Sequence, residues 1–280
     1  MSVAIVVHRG VATALIPLCV LVSLAQQKKE IGYHVGDRAV LSITNNYGPT
    51  TIKPSARAGE VLVTMILHSK SVRFEGQQHG NRVQLRAVSL VEGANLAEFT
   101  IMIPNDACVT LRSSGGVLRA EELYGDLIFE STTGAIELKN IRDSHIHVHA
   151  LSGPATLVRI RNSHIDVTSV SGDINLRDIS ASSAVVHSDS GRIAYEGDPG
   201  TGGDYRLTTH SGNVNVSIPA TSPVIISSRS ESVQSRLNSS QIGRSGPRDN
   251  EMLSSRSQVS KGSVFVLRSL RGKISVLRPQ

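Results

Sequence analysis

The chain has 280 residues, a formal net charge of +6, 39% hydrophobic residues and only 3% aromatic ones, with no Trp. That length is ample for one large core, while the scarcity of aromatics and the lack of any binding motif argue against a nucleic-acid partner. The charge is uneven: residues 236–280 carry nine Lys or Arg against Asp249 and Glu251, whereas residues 26–235 are close to neutral.

The N-terminus, MSVAIVVHRGVATALIPLCVLVSLAQQ, has a basic residue at Arg9, an apolar run from Val11 to Leu24, and small residues at Ser23 and Ala25. This is the pattern of a secretory signal over residues 1–25, cleaved after Ala25. It is too short for a membrane span. Cys19 follows Leu18, where lipid attachment needs a small residue. Export to the periplasm, the cell surface or the medium is therefore expected. Cleavage leaves Cys108 as the one cysteine, which excludes an internal disulfide. Cys108, in PNDACVT, reads as a small structural residue.

Residues 26–37 read as a short linker and 38–107 as a strand-rich cap or first coils. LSITNNYGPTTI, VLVTMILHSKSVRF, RVQLRAVSL and AEFTIMIP alternate apolar and polar residues as strands do. From Cys108 to Ser235 a repeat takes over. Gly134, Gly153, Gly172 and Gly191 stand nineteen residues apart, and the series extends back to Gly116 and on to Gly212. Other positions keep their chemistry at fixed offsets. Two after the glycine come Ile136, Ala155, Ile174, Ile193 and Val214; five before come Phe129, Val148, Val167, Val186, Leu207 and Ile226; three before come small residues. Alternation within each unit gives two or three short strands per coil, with like residues stacked roughly 4.8 Å apart. The glycines are expected at tight turns, where φ > 0 costs glycine nothing. A further coil fits around Glu231 and Val233. Residues 236–258, rich in Ser, Arg and Asn, have the composition of a disordered loop. Residues 259–280 then restore the template, with Phe265, Leu267, Ser269, Gly272, Ile274 and Val276 at the repeat offsets. A basic C-terminal region of this kind suits contact with anionic envelope components.

The signal, NNYGPTTI after an early strand, EFTIMIP before the first coil, the SGDINL and SGNVNV units and the closing SLRGKISV together resemble the bacterial "putative-adhesin" family. That family is a domain of unknown function built from β-strand repeats and related to the auto-transporter adhesin head domain. The resemblance covers about residues 38–278. It implies an all-β, single-stranded and right-handed β-helix, or β-solenoid, with no established catalytic residues.

The repeat turns local clusters into geometric statements. In DSHIHVHALSG, Ile146, Val148 and Ala150 belong to inward ladders, so His145, His147 and His149 face out. Adding nineteen sets His164 beside His145, Asp166 beside His147 and Thr168 beside His149, with His187 one coil further. Imidazoles and a carboxylate so placed can hold zinc or copper where three converge, so His145, His147, His164 and Asp166 are the candidate metal ligands. Any metal is expected to bridge coils and not to lie along HIHVH. A solvated outer face is the other reading. Polysaccharide-active β-helix enzymes cluster carboxylates on neighbouring coils, whereas here Asp173 falls beside Arg192 and Arg177 beside Glu196. GDPGTGGD, at 197–204, coincides with the step of twenty-one before Gly212 and reads as a turn. No cofactor and no catalytic set is expected. The function classes left are a non-enzymatic adhesin or structural module that contacts an envelope glycan or protein, and a metal- or pH-responsive envelope protein using the histidine face.

Overall fold

A computed structural model describes residues 27–89, 96–230, 232–235, 242–243 and 262–278. The expected signal segment and most of the 236–258 loop fall outside these residues. Among the described residues there is no helix, and the strands form two twelve-stranded sheets.

In the middle of the molecule the chain passes alternately from one sheet to the other. Cys108–Ser113, Asp126–Ser131, His145–Ala150, His164–Ser169, Ser183–Ser188 and Asp204–Thr209 are successive neighbours in one sheet. Leu118–Glu121, Ile136–Lys139, Ala155–Arg161, Ile174–Ser180, Ile193–Glu196 and Val214–Ser217 are successive neighbours in the other. All are parallel, and like residues meet: Ile146 with Ile165, Val167 with Val186, Leu157 with Leu176. Because side chains alternate along a strand, each strand sends one set inward. In His145–Ala150 the three histidines are exposed, while Ile146, Val148 and Ala150 are buried. The inward ladders of both sheets meet in one core, whose largest side chains include Phe129, Tyr195, Tyr205 and Phe265. Tyr205 stacks on Phe265 at 4.5 Å and lies edge-to-face with Tyr195 at 5.5 Å. The hydroxyl of Tyr195 donates to Ile179 O at 2.7 Å, which satisfies it within the core. Burial pushes both phenols above their ordinary pKa.

The glycine series occupies the expected corner for a different reason. Gly116, Gly134, Gly153, Gly172, Gly191, Gly212 and Gly272 are not at positive φ. Each lies so close to the preceding coil that an added Cβ would overlap the carbonyl oxygen of the glycine before it. The column therefore selects glycine by close approach. Its neighbours three residues earlier cap the turn: Ser169 Oγ donates to Gly172 O at 2.9 Å, and Gly191 N donates to Ser188 Oγ at 2.9 Å. The positive-φ column is at another corner, where Glu122, Asn140, Arg159 and Asp178 have φ of 59°, 55°, 55° and 54°. The repeat continues there to Gly197, at φ 136°, in the GDPGTGGD turn.

Both ends depart from sequence order. Val40–Thr44 and Thr50–Pro54, around Gly48, lie directly on the first regular coil. Arg82–Ser89 and Ala97–Ile103 stack outside them. Glu60–Leu67 and Val72–His79 then close this end with antiparallel pairing. Residues 26–37, expected as a linker, contain the strand Gln27–His34, which pairs antiparallel with Glu60–Leu67. Its Ile31 and Tyr33 rest partly buried against the core, which is why the segment is held.

At the opposite end the expected order is corrected. Ser263–Ser269 and Lys273–Leu277 pair with Asp204–Thr209 and Val214–Ser217, so the chain's last coil is inserted directly after the Gly212 coil. Val224–Arg229 and Ser232–Ser235 lie outside it. Val233 meets Ile274 as the repeat offset requires, but Ile226 meets Phe265, two residues off the ladder it was assigned to. The restored template of 263–277 competes better for the Gly212 coil, since Leu267, Ser269 and Ile274 match Leu207, Thr209 and Val214. Within the expected loop, Ile242–Gly243 pairs with Ile226–Ser227.

Candidate functional site

The outer face of the sheet that contains His145–Ala150 is assembled by strict alternation on four parallel strands, from Asp126–Ser131 to Ser183–Ser188. One row runs Asp126, His145, His164, Ser183; the next Ile128, His147, Asp166, Val185; the third Glu130, His149, Thr168, His187. His145, His147, His164 and Asp166 thus share one patch, as the repeat requires.

Their geometry is that of side-by-side pairs. The rings of His145 and His164 stack with centroids 5.0 Å apart and planes 13° from parallel. His145 Nδ1 is 3.1 Å from Asp126 Oδ1, and His147 Nδ1 is 3.9 Å from Asp166 Oδ2. Stacked rings direct their nitrogens alongside one another, and among the described residues no three His, Cys, Asp or Glu side chains are grouped to hold a metal ion. His187 leaves this set and faces Asp189, with Nε2 3.2 Å from Oδ1.

At one edge of the same face lies an open groove of about 670 Å³. It crosses successive coils from Thr44 and Asn46 through Arg112 and Glu130 to His149 and Thr168, with Leu151 and Val170 forming its outer lip. Leu151 is 50% exposed and Val170 43% exposed. Arg112 donates to both oxygens of Glu130, from Nε to Oε2 at 2.8 Å and from Nη2 to Oε1 at 3.1 Å. The Arg112 guanidinium holds the Glu130 carboxyl below its ordinary pKa against the opposing effect of partial burial, and His149 adds a smaller pull in the same direction. The groove lies on the outward offsets of the repeat, which the inward ladders leave unmarked. The signal for it is the pair Leu151 and Val170, two residues before successive repeat glycines at a corner where Ser114, Thr132, Asp189 and His210 are polar.

Four other surface carboxylates face cations of the neighbouring coil. Glu121 meets Lys53 at 2.8 Å, Glu137 meets Arg119 at 3.2 Å, Asp173 meets Arg192 at 3.0 Å and Asp178 meets Arg161 at 2.6 Å. Glu137 thus turns back to Arg119 and not forward to Thr156, its register neighbour on the other side. The GDPGTGGD segment is a turn held by Asp198 Oδ1, which accepts from Gly200 N within it at 3.0 Å and from Ser222 Oγ outside it at 2.9 Å.

A family model described as Toastrack DUF4097 matches residues 40–261. A search of the curated proteins gives no match. Among solved structures, the chain is similar to a "putative adhesin" from Bacteroides fragilis, at 10% identity and a TM-score of 0.52, over 91% of this chain and 99% of that one. A "putative lipid binding protein" from Parabacteroides distasonis matches at 12% identity and a TM-score of 0.47, over 90% and 97%. A "putative cell adhesion protein" from Clostridium sporogenes matches at 13% identity and a TM-score of 0.28, over 90% and 100%.

Proposed function

This chain belongs to the Toastrack DUF4097 family, and from that premise we propose that it is an exported, non-enzymatic binding module of the cell envelope. We read its winding as a single-stranded, right-handed β-helix with coils of about nineteen residues, released from its signal segment after Ala25. The groove between the histidine face and the Leu151–Val170 lip is its ligand site, and an extended envelope glycan is the ligand.

The observation that carries this reading is the groove's course across consecutive coils. From Thr44 to Thr168 it crosses five strands, about 19 Å at the usual spacing. Its lining offers hydroxyls, the Asn46 amide, the paired Arg112 and Glu130, and an aliphatic lip, a mixture that suits sugar hydroxyls and C–H faces together. The pairing of Glu121, Glu130, Glu137, Asp173 and Asp178 with cations on adjacent coils supports the non-enzymatic part, since a catalytic acid needs a shifted, uncompensated carboxyl. Adhesin is also the name carried by the Bacteroides fragilis structure. Calorimetry of the mature chain with oligosaccharides of increasing length tests the proposal. Affinity should rise with length until the groove is spanned, and His149→Ala with Leu151→Ser should remove it. Binding that is absent, or unaffected by this double variant, contradicts it.

A second reading is favoured by the His145–His164 stack beside Asp126: a metal- or pH-responsive face built on His145, His147, His164 and Asp166. Zinc or copper would have to draw the two parallel rings together. Titration with zinc should then lose its heat in His145→Ala with His164→Ala; no binding tighter than tens of micromolar rejects it.

A further inference from the structure

We propose that the corner formed by residues 268–273, at the C-terminal end of the molecule, docks on a membrane surface bearing anionic phospholipids. The proposal goes beyond the groove reading and does not depend on it.

Leu270 stands at the tip of the turn between Ser263–Ser269 and Lys273–Leu277 and is 59% exposed, the highest value among the exposed large hydrophobic residues described. Cations surround it. Arg268 precedes it, Arg271 and Lys273 follow, and Arg229 lies beside Arg268 in parallel register, roughly 4.8 Å away along the sheet. Among the described residues none of these four enters an ion pair.

That absence distinguishes this corner from the equivalent corners of earlier coils. Thr132, Leu151 and Val170 occupy matching places, since the corner amides of Leu151 and Val170 bond back to Ser131 and Ala150 as that of Leu270 does to Thr209. Beside them, however, Arg112 is matched by Glu130. Two arginines directly opposed across parallel strands repel each other, and the arrangement is relieved when phosphate lies against both. The sequence strengthens the same sign, with a net +7 over residues 236–280. Cations alone would suit any polyanion. The exposed leucine at their centre selects a bilayer, because an apolar tip gains from entering the headgroup boundary while the guanidinium groups hold phosphates.

The test is co-sedimentation of the mature chain with vesicles of phosphatidylcholine alone and of phosphatidylcholine with an equal part of phosphatidylglycerol. The chain should bind the anionic vesicles and not the neutral ones. Arg268→Gln with Arg271→Gln should weaken partitioning about thirty-fold. Leu270→Ser, an exposed change that leaves the core intact, should retain binding at low salt and lose it at high salt. Arg82→Gln with Arg86→Gln, at the far end, should change nothing; circular dichroism verifies that each variant is folded. Equal binding to both vesicles, an unaffected arginine variant, or binding matched by soluble dextran sulfate and indifferent to Leu270→Ser would overturn the proposal.

Discussion

At one corner of the central coils stand Gly134, Gly153, Gly172 and Gly191 in ordinary backbone conformations; at another stand Asn140, Arg159 and Asp178, non-glycines at φ of 54–55°. The first corner brings each Cα against the carbonyl of the coil before it, so nothing larger than hydrogen fits. The second is open, and polar side chains bridge its rungs: Arg159 Nε donates to Asn140 Oδ1 at 2.6 Å. Space, and not φ, decides which corner is reserved for glycine. Left-handed residues are tolerated where their side chains bond to one another, at a local cost of roughly 1–2 kcal/mol each.

Substitutions can break this comparison. Gly172→Ala should be the most damaging, lowering unfolding free energy by about 3 kcal/mol through a clash that only coil separation relieves; chemical denaturation would measure it, and a loss below 1 kcal/mol would mean the stack is looser than described. Gly80→Ala isolates the other cause, since that glycine has φ 58° and nothing within 4 Å of an added Cβ. Its cost should be about 1 kcal/mol. Glu122→Gly should go the other way and raise stability by about 0.5 kcal/mol, the gain from relieving a φ of 59° less the entropy of glycine in the unfolded chain. The smallest effect is on pH dependence. The pKa of Glu130 is lowered in the folded chain by Arg112, so its contribution is present above the unfolded carboxylate value and is lost as pH falls through its folded value. Arg112→Gln should remove that contribution at neutral pH, a small loss because the pair is half exposed, and leave stability below the carboxylate range nearly unchanged, so that the acid limb of a melting-temperature profile flattens.

The strand alternation, the ladders and the outward histidines were legible because each follows from a period, and a period survives without knowledge of the third dimension. Leu157 over Leu176 and His145 beside His164 are read by adding nineteen. Spatial order at the ends was not legible in this way. Extrapolation placed Ile226 on the Leu207 ladder, whereas Leu267 takes that place and Ile226 moves out to Phe265. Two segments were competing for one coil face, and sequence proximity favoured the segment that lost. The strand Gln27–His34 is weakly marked, since KKEIGYH has only Ile31 and Tyr33 as inward apolar residues; antiparallel pairing with Glu60–Leu67 supplies the rest. At the site, the row memberships of all four candidate ligands were readable, but the stacked orientation of the imidazoles was not, since register fixes Cα positions and leaves ring direction to local packing. The groove lay in the offsets that point outward, where apolar residues signal contact and not core.

The most direct measurement is an amide-resolved NMR titration of the mature chain with the longest envelope oligosaccharide that remains soluble. A glycan site in the groove predicts shifts concentrated at residues 44–46, 112–114, 130–132, 149–151 and 168–170, running as one band across the coils. Shifts gathered on the opposite sheet around Glu137, Thr156 and Asn175, or no shifts at all, would contradict it.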